Sequence, residues 1–228
     1  MSSLENKVAI VTGGGTGIGK AIAKLFSFEK AKVIIASRNQ ENLINAVNDI
    51  RQTGNEIIDY YKTDVTNTED VANLFSFTFN KYGAIDVLVN NSGVMDGNPI
   101  DQVSDEQWEN VISVNVTGTF KCTREGFKYM KSRGGKIINI GSIYGEVAPN
   151  RNLKNLEVDP IQYGLTKAAL VHLTKELAVR FANKGINVYC VSFGGVEGRV
   201  NNEFKEKYSS LCPLGRMLKV DDLSSPVD

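Results

Sequence analysis

A chain of 228 residues is long enough for one large domain or two small ones, and its 42% hydrophobic and 23% charged content is that of a soluble globular protein. Its 26 basic and 26 acidic residues cancel, so no broad field draws it to nucleic acid or to an anionic membrane.

The opening MSSLENKVAIV lacks the basic segment, apolar run and cleavage site of a secretory leader. No apolar run in the chain reaches the roughly 18 residues of a membrane span. Short Val- and Ile-rich runs then recur at Lys7–Thr12, Lys32–Ser37, Glu56–Tyr61, Ile85–Asn90, Lys136–Ile140 and Ile186–Ser192. Several are apolar at consecutive positions, which suits strands covered on both faces. Between them lie stretches of helical period at about 17–30, 40–52, 68–82, 104–132 and 160–183. This βαβαβ alternation predicts an α/β fold with six strands in a doubly wound parallel sheet, the Rossmann arrangement, in a single domain over residues 1–228. After the sixth strand the pattern supports one short helix, about 201–209, and the start of another near Val220.

Three widely spaced cysteines, Cys122, Cys190 and Cys212, contain no CxxC and fit reduced thiols in the cytoplasm. The single histidine, His172, lies in a helical stretch and reads as a packed or half-exposed side chain, so no metal site is expected.

The first strand runs into TGGGTGIGKAIAKLF. Glycines at such a turn allow positive φ, let the backbone approach a pyrophosphate and let the helix pack closely on the strand. The helix that follows offers free N–H groups and the positive end of its dipole. Gly13, Gly17 and Gly19 form G-x-x-x-G-x-G rather than the commoner G-x-G-x-x-G. The second strand ends in Ser37 and Arg38, where a carboxylate would take the ribose of NAD. Arg38 would instead hold a 2′-phosphate, which favours NADP over NAD; its plainer reading is a solvated surface arginine. Asp64 would accept a hydrogen bond from an adenine amino group, or cap the next helix, although Thr66 and Thr68 are better placed to cap.

Three further stretches join these: NNSG (Asn90–Gly93), SVNVTG with Asn115, and INIGS with Ser142 just beyond the fifth strand. Together with Tyr163 and Lys167, four residues apart in DPIQYGLTKAAL, they resemble the short-chain dehydrogenase/reductase family across nearly the whole chain. Residues at i and i+4 share a helix face, about 5–6 Å apart at Cβ. Asp159 and Pro160 read as the cap and first turn of their helix. The resemblance implies that Tyr163 exchanges a proton with a carbonyl or alcohol oxygen while the cofactor exchanges hydride with the adjacent carbon. It implies too that Ser142 hydrogen-bonds that oxygen, that Lys167 grips the nicotinamide ribose, and that Asn115 holds a water in the proton relay. A free tyrosine has a pKa of about 10, and the lysine ammonium is expected to lower it. The cofactor contacts implied are Gly13, Thr16, Gly17, Ile18, Gly19, Ser37, Arg38, Asp64, Val65, Asn91, Gly93, Tyr163, Lys167, Gly194 and Val196, with no metal.

The sequence departs from the family at Ser92, usually alanine, and at Phe193-Gly194, usually Pro-Gly, in a turn that borders the nicotinamide. Ser142 and Tyr163 stand 21 residues apart, against about twelve by the resemblance. The extra segment carries Asn150, Arg151, Asn152, Lys154, Asn155, Glu157 and Asp159. It points to a hydrophilic substrate such as a sugar derivative, or is simply a solvated loop. The family's last strand is missing, so the sixth strand is expected to form an exposed edge.

The family forms homodimers and homotetramers. The elements of the first interface are present, with Leu170, Leu173, Leu177 and Phe181 as its expected apolar positions, so a dimer is expected. An NADP(H)-dependent oxidoreductase is the leading reading. A non-catalytic dinucleotide-binding relative and an epimerase- or dehydratase-like enzyme are the alternatives, the last lacking room for its large substrate domain.

Overall fold

The computed structural model describes residues 4–53, 57–96, 98–150, 161–198 and 200–223. Six strands, β1 (Val8–Thr12), β2 (Lys32–Ser37), β3 (Ile58–Lys62), β4 (Val87–Asn90), β5 (Gly135–Ile140) and β6 (Ile186–Val191), form one parallel sheet in the order β3-β2-β1-β4-β5-β6. This is the doubly wound order, in which the chain reverses direction across the sheet between β1 and β4.

The apolar residues sort by parity onto two faces. Ala9, Val11, Val33, Ile35, Val87 and Val89 pack with Ile22, Phe26, Leu43 and Ile50, contributed by α1 (Gly17–Phe28) and α2 (Gln40–Arg51). Ile10, Ile34, Leu88 and Ile137 face the other way, onto Leu74 and Phe75 of α3 (Thr68–Tyr82) and Leu177 of α6 (Ile161–Phe181). Each of these large side chains, once buried, contributes about 1.5–3 kcal/mol, and that two-sided burial is why the strands read as continuous apolar runs.

The stretch expected as one helix over 104–132 is interrupted. α4 (Asp105–Ile112) starts at a capping box between Ser104 and Gln107, passes into a π-helical segment (Ser113–Gly118), and continues as α5 (Thr119–Met130). Gly118 falls where a Cβ would meet Val65 Cγ2 at 2.7 Å, so the widened turn can lie close on the strand side. The third strand lies slightly later than expected. Asn67, not Thr66 or Thr68, caps α3, accepting from the N–H groups of Glu69 and Asp70.

Leu170 and Leu177 are 2% and 7% exposed, and Leu173 and Phe181 pack into the same chain's core. They are therefore not the outward apolar stripe expected of an interface; on α6 that stripe is Ile161, Leu165 and Val179. His172 is exposed, with Nε2 3.8 Å from Glu176 Oε1. Beyond β6, α7 (Asn202–Leu211) is followed by a 3₁₀ turn (Val220–Leu223), which seats the fully buried Leu223 among Ile22, Phe26 and Phe193. β6 is the sheet's edge among the described residues.

Candidate active site

Thr12 ends β1 with its hydroxyl donating to the Val89 carbonyl (3.3 Å) while accepting from the N–H groups of Asn91 and Ser92, both at 3.1 Å. Asn91 returns its amide to the carbonyls of Thr12 and Gly13, at 3.0 and 3.2 Å. The glycine turn is thus sewn to the end of β4. A Cβ on Gly13 would meet Asn91 Nδ2 at 2.7 Å, and one on Gly19 would collide with the Gly13 carbonyl. Gly13 and Gly17 also hold φ of +65° and +53°. Only glycine fits this approach of helix to turn.

These constraints shape a cleft of about 230 Å³ at the carboxyl ends of β1 to β4. Gly13, Thr16, Ser37, Arg38, Asp64, Val65 and Gly93 line it, as expected from sequence, together with Gly15, Asn39, Asn42, Thr63 and Val94, which sequence reasoning missed. Gly17, Ile18, Gly19 and Asn91 shape the turn without lining the cleft, and Gly194 and Val196 lie on the turn after β6. Arg38 is exposed at the rim and makes no ion pair among the described residues. Asp64 spends one carboxylate oxygen on the N–H and hydroxyl of Thr66, at 2.9 and 2.7 Å. The glycine cradle, the Arg38 guanidinium at the rim and the Asp64 carboxylate fit a dinucleotide with a phosphorylated or free ribose.

At the carboxyl end of β5, Ser142 is 8% exposed, its hydroxyl accepts from the Tyr144 N–H at 3.2 Å, and it lies close enough to the Tyr163 phenol to pull its pKa down. Lys167 Nζ stands 5.4 Å from the centre of the Tyr163 ring and donates to the Ile140 carbonyl at 2.7 Å. Burial pushes the lysine's pKa from 10.5 down to about 8, against a small upward pull from Cys190. Burial also raises the Tyr163 pKa, and the nearby Ser142 hydroxyl is what opposes it. The expected lowering by Lys167 is therefore not what governs the phenol here: the ammonium lies over the ring and is spent on a carbonyl.

Asn115 is 1% exposed and fully engaged. Its Oδ1 accepts from the Val94 N–H (2.8 Å), and its amide donates to the Val94 carbonyl and the Thr166 hydroxyl, both at 3.0 Å. Thr166 in turn donates to the Tyr163 carbonyl at 2.8 Å. The Asn115 side chain thus ties the strand-four loop to the helix bearing Tyr163.

Three residues beside the site carry no motif. Tyr144 has its pKa raised by burial and by the nearby phenols of Tyr208 and Tyr163. Tyr208 accepts from the Gly195 N–H at 2.7 Å. Gln162 is fully buried and donates to the Asp96 carbonyl at 2.6 Å. Only the aromatic spacing of Phe204 and Tyr208 on one helix face hinted at a packed α7. The polar residues 151–160, on which the expectation of a hydrophilic substrate rests, and the proposed cap at Asp159 and Pro160 lie outside the described residues.

The chain is 39% identical over 204 residues to an uncharacterized oxidoreductase of Thermotoga maritima, covering 90% of this chain and 75% of the relative. It is 33% identical over 229 residues to the 3-oxoacyl-[acyl-carrier-protein] reductase FabG of the same organism, covering 98% and 89%. Among solved structures, a variant of actinorhodin polyketide ketoreductase with NADPH superposes at a TM-score of 0.89 with 29% identity, covering 100% of this chain and 90% of that one. The family profile described as short chain dehydrogenase matches residues 7–209, and with the relatives it places this chain in the short-chain dehydrogenase/reductase family of oxidoreductases.

Proposed function

We propose that this enzyme, acting as one dinucleotide-binding catalytic domain, interconverts a carbonyl and a secondary alcohol with NADP(H), Tyr163 serving as acid and base. The observation that carries this is the Ser142 hydroxyl beside the Tyr163 phenol, with the Lys167 ammonium over the phenol ring, at the sheet edge that also bears the glycine cleft. The bound nicotinamide would supply or accept the hydride. Tyr163, protonated at neutral pH as an ordinary phenol and held more firmly so by burial, carries the proton that a nascent alkoxide needs. Ser142 orients that phenol and offers a hydrogen bond to the same oxygen. Lys167 supplies positive charge over the ring, and its remaining N–H groups would hold a ribose hydroxyl. Asn115 fixes the helix that carries both. The 3-oxoacyl reductase and the NADPH-bearing ketoreductase among its likenesses support a reductase of this kind.

Arg38 is the reason for preferring NADP. A charge-assisted hydrogen bond to a 2′-phosphate contributes about 1.5–3 kcal/mol, or about 10- to 150-fold in affinity. Fluorescence titration should show NADPH binding tighter than NADH, with the difference lost in Arg38→Ala; equal affinities in the unmutated protein would overturn the choice. The polar run from Asn150 to Asp159 and the gathered phenols of Tyr144, Tyr163 and Tyr208 favour a hydrophilic carbonyl compound such as a sugar derivative. Loss of NADPH absorbance over a panel of polar ketones, steroid ketones and 3-oxoacyl thioesters tests both activity and class. Silence across the whole panel would count against the reading.

A further inference from the structure

The turn that leaves β6 is held from three sides. Gly195 donates its N–H to the Tyr208 phenol at 2.7 Å, and its carbonyl accepts from the Leu218 N–H at 2.8 Å. Glu197 donates to the Leu218 carbonyl at 2.8 Å and pairs with Lys205 of α7 at 3.0 Å. The fit around the glycines is close: a Cβ on Gly195 would lie 2.8 Å from Tyr208 Cζ and 2.9 Å from Met217 Cε, and one on Gly194 would lie 2.9 Å from the Tyr208 hydroxyl. On its other side the turn reaches the catalytic strand, because the Ile143 N–H, one residue past Ser142, donates to the Phe193 carbonyl at 3.0 Å. Tyr208 is only 8% exposed and lies close enough to Tyr144 to raise its pKa, while Tyr144 is itself beside Tyr163.

We propose that Tyr208 is a positioning residue that latches α7 onto the Gly194–Gly195 turn and thereby shapes the half of the cleft taken by the nicotinamide end of the cofactor. The inference rests on the dinucleotide reading above. A cofactor with its adenine end between Arg38 and Asp64 and its reactive end at Ser142 and Tyr163 must bring the nicotinamide half past this turn, since ligands of doubly wound sheets lie along the carboxyl ends of the strands. The family's usual Pro-Gly turn has no N–H at its first residue. Here Phe193 replaces the proline and is buried in the core, and the phenol holds the turn at Gly195 instead.

Tyr208→Phe keeps the ring packed on Met217 and removes only the acceptor. Binding is measured with whichever of NADPH and NADH binds the unmutated protein more tightly, and with its nicotinamide-free counterpart, 2′-phospho-ADP-ribose or ADP-ribose. Tyr208→Phe should weaken the full dinucleotide about fivefold to tenfold, the worth of one hydrogen bond, and leave the nicotinamide-free ligand within about twofold. Amide hydrogen exchange in the free protein should speed up at Gly195 and not at Gly13. Gly195→Ala, which forces the same contact apart by sterics, should reproduce the selective loss. Equal weakening of both ligands would reveal general damage to the fold and overturn the latch, as would no change in either. If the unmutated protein binds no nicotinamide dinucleotide, the reading underneath fails and the latch falls with it.

Discussion

Lys167 shows how burial alone changes what a residue can do. The residue is 5% exposed, its ammonium donates to one carbonyl, and its pKa falls from 10.5 to about 8. Below pH 8 both folded and unfolded chains hold the proton, and the fold bears the cost of burying it. Between 8 and 10.5 the unfolded chain keeps a proton that the folded chain has lost, so stability rises with pH across that window. The rise attributable to this one side chain is about 3 kcal/mol, and Lys167→Met should remove it. Urea melts of both proteins at the two ends of the window check this; parallel curves would refute it. Tyr163→Phe keeps the ring and removes the proton, so turnover should fall by about 10²–10⁴ while dinucleotide binding, followed by fluorescence, stays near normal. Near-normal turnover in that variant would end Tyr163's assignment as the acid.

In the glycine turn, two glycines of the same motif are needed for different reasons. Gly17 has φ +53° and nothing within 4 Å of where a Cβ would stand, so Gly17→Ala meets only backbone strain of about 1–2 kcal/mol. Gly19 is buried against the Gly13 carbonyl and Asn91 Nδ2, so Gly19→Ala must push the helix off the turn. Dinucleotide affinity should survive the first change and collapse in the second, measured by the same titration. The π-helical segment matters in another way. It places Asn115 where its amide group can pair with both backbone groups of Val94 and still reach Thr166. Asn115→Ala leaves the part-buried Val94 groups and the buried Thr166 hydroxyl without this partner and should destabilise the protein by about 1–3 kcal/mol in denaturant melts. A loss under about 0.5 kcal/mol would mean that water replaces the side chain without cost.

Across the molecule, the segment after α7 is part of the core rather than an appendage. Leu223 is fully buried with Ile22 and Phe26 of α1, and Leu218 pairs with the turn after β6. Leu223→Ala should therefore cost about 2–5 kcal/mol, read from the shift of a denaturant midpoint at unchanged slope. On the outer surface, Phe120 of α5 and Ile161, Leu165 and Val179 of α6 are between 44% and 81% exposed. A second copy covering this apolar face is expected to give a homodimer. Light scattering on a size-exclusion column checks the mass, and a monomer across the micromolar range would refute it.

The strand runs and helical periods followed from residue order because each is a local pattern: alternate positions of Ile10, Val11, Ile34 and Ile35 must face opposite layers whatever they pack against. The glycine turn and the Tyr163–Lys167 spacing were legible for the same reason, being short-range constraints on backbone and helix face. What the residue order left undecided depended on neighbours distant in the chain. Whether Leu170 and Leu177 look inward or outward, which carbonyl the Lys167 ammonium reaches, and which backbone groups Asn115 pairs with are all settled by packing between segments tens of residues apart. Tyr208 is the plainest case: its spacing from Phe204 marks a packed helix face but not what that face packs on, and only the tertiary fold brings its phenol to the Gly195 N–H.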